Sequence, residues 1–283
     1  MSDLTVLNEH ACFGGVQGFY EHPSDVIGAP MRFGVYRPPQ ATRHRVPVLV
    51  YLAGLTCTEE TFAIKAGAQR LAAEHGLMLV TPDTSPRNTG LPGATDRWDF
   101  GEGAGFYLDA TRSPWSMRFR MESWITRELH ALIPKYFAAR VDRVGIFGHS
   151  MGGHGALTLA LKHPSLYRSV SALAPICAPM QCPWGQHAFA NYLGDDRSTW
   201  AAHDAVALIE AGAKAPFLLV DQGLGDKFLD EQLKPELLEA ACARMGQALQ
   251  LRRHAGYDHG YYFIATMMAA HITHHATVLN HEN

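Results

Sequence analysis

Short apolar runs recur along this chain, separated by stretches in which apolar residues return every three or four positions. The runs predict strands over Arg32–Tyr36, Val46–Leu52, Leu77–Thr81, Arg143–Phe147, Ser169–Leu173, Pro216–Asp221 and Leu249–Arg253. The helical periods predict helices over Thr61–His75, Ser123–Tyr136, Gly153–His163, Pro235–Met245 and Tyr261–His275. Such alternation is the pattern of an α/β chain with a mostly parallel central sheet and helices on both faces. The first two runs read as an antiparallel opening of that sheet. Ser85 to Trp115 is rich in Gly, Pro and aromatics and has no clear period; a long irregular segment of this kind is often functional, and it is expected to wall off a site. No repeat or linker divides the chain, so one domain over residues 1–283 is expected.

Composition narrows the function classes. Hydrophobic residues make up 47% and charged residues 18%, as in an ordinary globular enzyme. A net charge of −3 gives no basic surface for nucleic acid. No apolar stretch reaches the roughly 18 residues of a membrane span, and the N-terminus lacks a secretory pattern. Cys12, Cys57, Cys177, Cys182 and Cys242 are odd in number and lack the paired spacing of a zinc site. A cytoplasmic location is therefore expected, with neither metal nor cofactor. The oligomeric state stays open, a homodimer among the options.

The chemistry centres on Gly148-His149-Ser150-Met151-Gly152, a G-x-S-x-G sequence between an apolar run and a helical period. This is the context of the nucleophile elbow of the α/β-hydrolase fold. A sharp strand-to-helix turn lifts the serine hydroxyl into a cleft, and flanking glycines remove side chains that would collide there. The plain alternative is a Gly-rich connection without chemistry. His149 is expected to pack behind the elbow or to support it, and His154 to be structural. In this fold the acid and then the base follow the serine in the chain. His259, in the loop before the last helical period, is the best-placed of 16 histidines to be the base. Asp226, in the loop after the Pro216–Asp221 run, can reach its far nitrogen, whereas Asp221 is expected to cap backbone amides. The oxyanion donors are assigned to the N–H groups of Met151 and Leu55, with Thr56 the alternative to Leu55. His271 and His275 share one helix face without an acidic partner between them, so a solvated C-terminal helix is expected rather than a metal site.

Several segments now resemble the S-formylglutathione hydrolase (esterase D) family. They are Leu52-Ala53-Gly54-Leu55-Thr56-Cys57-Thr58-Glu59-Glu60, Pro82-Asp83-Thr84-Ser85-Pro86-Arg87, Trp98-Asp99-Phe100-Gly101, Gly103-Ala104-Gly105-Phe106-Tyr107, the elbow itself, Cys182-Pro183-Trp184-Gly185 and Gly256-Tyr257-Asp258-His259. The resemblance runs through nearly the whole chain. It implies a cofactor-free serine thioesterase with a small thioester substrate, S-formylglutathione. It also places the triad on Ser150, Asp226 and His259, and a reactive cysteine near the site on Cys57. The chain departs from the commonest family wording at Asn88 and at Leu224-Gly225. Trp98, Trp184 and Tyr257 are bulky enough to wall a formyl-sized pocket, while Phe106 reads as core packing. Lys65 is a candidate partner for a glutathione carboxylate, a solvated helix lysine being the plainer reading. The competing readings are a general short-chain carboxylesterase, an acyltransferase, and a non-catalytic binding module on the same fold.

Overall fold

The computed structural model describes residues 4–281. Nine strands, β1 (Thr5–Cys12), β2 (Gly15–Ser24), β3 (Ala29–Arg37), β4 (Val46–Leu52), β5 (Met78–Pro82), β6 (Ala139–His149), β7 (Ser169–Leu173), β8 (Leu218–Gly223) and β9 (Leu249–His254), form one sheet in the order β1-β2-β3-β5-β4-β6-β7-β8-β9. Strands β1 to β3 are antiparallel, β3 joins β5 antiparallel, and β5 through β9 run parallel. The expected antiparallel opening therefore differs in its members. β3 and β4 are not neighbours, because β5 lies between them. The opening is made by β1 and β2, whose run is too polar to read as buried strands; almost all of β1 is exposed at the sheet edge.

Side-chain alternation along the parallel strands sorts the helices onto two faces. They are α1 (Glu59–Lys65), α2 (Ala68–His75), α3 (Met121–Ser123), α4 (His130–Tyr136), α5 (Met151–Lys162), α6 (Pro183–Tyr192), α7 (Ala205–Glu210), α8 (Pro235–Met245) and α9 (Tyr261–Asn280). Tyr51 and Phe147 point to the face of α1 and α9, where the Tyr51 ring lies 3.6 Å from Phe62 and the Phe147 ring 5.4 Å from His275. Val48, Val50 and Val144 point the other way, toward Ile125, Leu129 and Ile133. The helix expected over Thr61–His75 is broken in two by Gly67, which adopts φ +66°. The one expected over Ser123–Tyr136 passes through a π-helical stretch, Trp124–Leu129. Among the described residues no helix is long and apolar enough to cross a membrane.

Candidate active site

The elbow forms where β6 turns into α5. Ser150 sits at φ 59°, ψ −119°, a conformation that a side chain rarely adopts and that its surroundings must impose. The flanking glycines show how. A Cβ on Gly148 would lie 2.2 Å from the Gly152 carbonyl oxygen, and one on Gly152 would lie 1.9 Å from that of Leu52. Strand β4, strand β6 and α5 thus meet backbone to backbone, and only glycine permits it. The Ser150 N–H donates to the Leu173 carbonyl at 3.0 Å, which ties the turn to β7. The Met151 N–H lies in the first turn of α5, where amides have no intrahelical acceptor. After β4, Thr56 donates to the Gly103 carbonyl at 2.9 Å and Cys57 to that of Gly54 at 3.2 Å. The intervening Leu55 N–H donates to no backbone acceptor among the described residues.

The loops after β8 and β9 are fastened together. Leu224 donates to the His254 carbonyl at 2.9 Å and Gly225 to the Tyr257 carbonyl at 2.8 Å. Gly223 is required here, since its Cβ would stand 2.4 Å from the Tyr257 oxygen. This zipper brings Asp226 under His259, and Asp226 Oδ2 lies 2.5 Å from His259 Nδ1. The other carboxylate oxygen accepts the Phe228 N–H at 2.9 Å, while Gln222 Nε2 donates to Oδ2 at 3.4 Å. The acid is thus buried and oriented by its neighbours. Ser150 and His259 line one cavity of about 180 Å³ and make no direct hydrogen bond to each other. Such contacts commonly tighten only when substrate binds.

The cavity also takes in Gly54, Leu55, Cys57, Trp98 and Trp184, as the sequence reading expects of the last four. Trp98 is 56% exposed and stands at the rim, its ring edge-on to Trp184 at 5.5 Å. Three wall residues escape the sequence reading. Phe228 packs edge-on to His259 at 5.0 Å, and Tyr261 places its hydroxyl 4.0 Å from Cys57 Sγ. The third is His149, expected behind the elbow. It instead lies beside the cavity, its ring 4.4 Å from that of His259. Burial, and secondarily the nearby His259, drives the His149 imidazole well below its usual range, so it stays neutral. A clue existed for Phe228 and Tyr261, since each aromatic lies two residues after Asp226 or His259 in the chain.

Other expectations are corrected. Tyr257 is not among the cavity's lining residues: its ring turns inward against Phe263 at 5.8 Å, and its contribution is the carbonyl that fastens the acid loop. Lys65 is exposed and lies over the Tyr261 ring at 5.6 Å, outside the cavity wall. Phe106 is fully buried, as core packing requires, and His154 is structural, its ring bonded to the Phe106 carbonyl at 3.1 Å. Asp221 caps no backbone amide. It is fully buried and binds Arg252 through both carboxylate oxygens at 2.6 and 2.5 Å, with His254 and His271 each at 3.1 Å. Burial would raise its carboxyl, but the bonds to His271 and Arg252 outweigh that and hold it well below the usual range. The expected solvated face of α9 is likewise overturned. His271 and His275 are fully buried, bonded to Ser169, Ser171 and Asp221. Cys57 is partly buried, and burial pushes its thiol up, which disfavours the thiolate.

A family model described as Esterase matches residues 24–274. The S-formylglutathione hydrolase of Mus musculus is 51% identical over 279 residues, which cover 98% of this chain and 99% of the mouse protein. That of Rattus norvegicus is 49% identical over 280 residues, with the same coverage. The solved structure of an S-formylglutathione hydrolase from Agrobacterium tumefaciens superposes with a TM-score of 0.96 at 47% identity, covering 97% of this chain and 99% of that one. Esterase signature, full-length kinship and backbone agreement converge, and the chain belongs to the S-formylglutathione hydrolase family of α/β-hydrolase esterases.

Proposed function

We propose that this protein hydrolyses S-formylglutathione to glutathione and formate through a formyl-serine intermediate. The observation that carries the reading is His259, held by Asp226 at 2.5 Å, sharing one small cavity with the elbow serine. Asp226 holds the His259 tautomer whose second nitrogen can accept a proton. Ser150 Oγ attacks the formyl carbon while its proton passes to His259. The developing oxyanion takes the Leu55 and Met151 N–H groups, which nothing else in the backbone claims. The C–S bond then breaks and the thiol leaves with the proton from His259. Water attacks the formyl-serine, gives its proton to His259, and formate departs as Ser150 is regenerated.

Cavity size supports a small acyl group. About 180 Å³ is below the roughly 300 Å³ at which drug-sized ligand sites begin, and its Trp184 and Phe228 walls pack ring on ring at 4.7 Å. The exposed rim at Trp98 favours a second reading, a general short-chain carboxylesterase with room for larger leaving groups. The test compares kcat/KM for the formyl, acetyl and butyryl thioesters of glutathione. A steep fall with acyl length supports the first reading, because rigid walls cannot admit added methylenes without strain. A flat or rising series favours the second.

A further inference from the structure

A second, larger cavity of about 530 Å³ opens on the same carboxyl edge of the sheet. Its wall includes Glu59 from the segment after β4, Asp83 and Arg87 from the segment after β5, and Arg32 from β3. The sheet order β3-β5-β4-β6 sets these segments beside the elbow. At a strand spacing of about 4.8 Å, β5 stands roughly 10 Å from β6. The γ-glutamyl arm of glutathione, eight bonds from the cysteine sulfur to the α-ammonium, reaches roughly the same 10 Å when extended. Ligands of open α/β sheets bind along this edge.

The polar groups in this cavity are unequally satisfied. Asp83 is paired with Arg87 through contacts of 2.7 to 3.2 Å, and Arg87 also donates to the Cys57 carbonyl at 2.8 Å. Arg32 bonds Glu21 at 3.0 Å near the surface. Glu59 differs: it is 5% exposed, and among the described residues its carboxylate has no hydrogen bond or ion pair to another side chain. Arg32 and Arg87 act on it only from a distance, and a buried carboxylate without a direct partner is costly. Burial first, and then the nearby Asp83, pushes Glu59 up to about 7. Among the described residues no group of three His, Cys, Asp or Glu is arranged to hold a metal ion. A cationic hydrogen-bond donor such as an ammonium would complete the carboxylate where a proton otherwise does.

We propose that this cavity is a subsite for the leaving thiol, in which the Glu59 carboxylate receives the α-ammonium of the γ-glutamyl end of glutathione. The inference rests on the function proposed above and deepens it. Arg32, exposed beside Glu59, supplies a cation for the adjacent α-carboxylate of the same zwitterion. Glutathione carries a single ammonium and Glu59 is the single unpaired carboxylate of the buried wall, so the match also sets the direction in which the peptide runs from Ser150.

The decisive probe is the formyl thioester of glutaryl-cysteinylglycine, in which CH₂ replaces the CH–NH₃⁺ of the γ-glutamyl group. The unmodified enzyme is expected to prefer the glutathione thioester in kcat/KM by roughly 10- to 100-fold, the worth of a charge-assisted hydrogen bond. In Glu59→Gln that preference is expected to fall to within about threefold, most of the change lying in KM. An unmodified enzyme that treats the two thioesters alike overturns the proposal, whatever the variant does. So does a Glu59→Gln protein that discriminates as strongly as the unmodified one. Should neither thioester turn over while an aryl acetate does, the substrate reading fails separately. Calorimetry with free glutathione and free glutaryl-cysteinylglycine then decides the subsite: tighter glutathione binding sustains it and equal affinity overturns it.

Discussion

Two buried aspartates, Asp221 and Asp226, lie on consecutive parts of one strand and loop, and the same substitution is expected to do opposite things to them. In Asp226→Asn, the Phe228 N–H that now binds Oδ1 at 2.9 Å still demands an acceptor, so the side-chain oxygen stays there. The new amide nitrogen then occupies the position of Oδ2, facing His259 Nδ1 at 2.5 Å. An amide donor at that point obliges Nδ1 to accept and moves the ring proton to the other nitrogen, which can no longer take the proton of Ser150. A fall in kcat of about 10⁴ follows, equivalent to roughly 5.5 kcal/mol of transition-state stabilisation. The fold should survive, because the Phe228 bond is kept and only the long 3.4 Å contact from Gln222 is lost. In Asp221→Asn the charge lost is the one that neutralises Arg252 and receives His254 and His271. Arg252 keeps its access to solvent, so the loss is below that of a fully buried pair, on the order of 1–3 kcal/mol. At about 2–4 °C per kcal/mol, melting should drop by roughly 2–12 °C. The assay pairs steady-state turnover of S-formylglutathione with thermal denaturation of both variants. Near-wild-type turnover in Asp226→Asn, or a 10⁴-fold loss in Asp221→Asn without destabilisation, would refute the assignment and move the orienting acid to Asp221.

Three further outcomes are expected. Gly152→Ala should destabilise the protein by more than about 2 kcal/mol and impair turnover, since its Cβ would stand 1.9 Å from the Leu52 carbonyl oxygen at the elbow; chemical denaturation and unchanged kinetics together would contradict this. Cys57→Ser should keep substantial activity but lose sensitivity to a thiol-alkylating reagent, because the thiol lines the cavity and burial disfavours its thiolate; a dead variant, or one still equally sensitive, counts against it. Stability should fall on acidification in two stages. The buried imidazoles of His149, His154, His271 and His275 are held below their usual value by burial, so their contribution is lost as pH falls below about 6.5. Asp221, held below the usual carboxylate range, contributes stability above about pH 4 that is lost on further acidification. Denaturation midpoints from pH 8 to 3 measure this, and Asp221→Asn should weaken the dependence below about pH 4.

What the sequence by itself determined here was the local and covalent order of things. The G-x-S-x-G turn between an apolar run and a helical period specified the elbow, because only glycine permits the backbone contacts at Gly148 and Gly152. The parallel strands β4 to β8 were legible because both their faces are buried and their apolar runs are continuous. Chain order brought Asp226 and His259 forward as candidates. Tertiary structure decided the rest. The edge strand β1 carries no buried run to read, and the short apolar pair Phe19-Tyr20 of β2 sits among polar residues, so their place follows from pairing beside β3. His271 and His275 looked like a polar helix face; only the underlying Ser169, Ser171 and Asp221 on β7 and β8 make that face the inside of the protein. The roles of Asp221 and Tyr257, and the presence of His149, Phe228 and Tyr261 at the cavity, depend in the same way on groups distant in the chain. A residue's type states which bonds it can make, whereas burial and partners arise from long-range packing, and that packing selects which of those bonds is made.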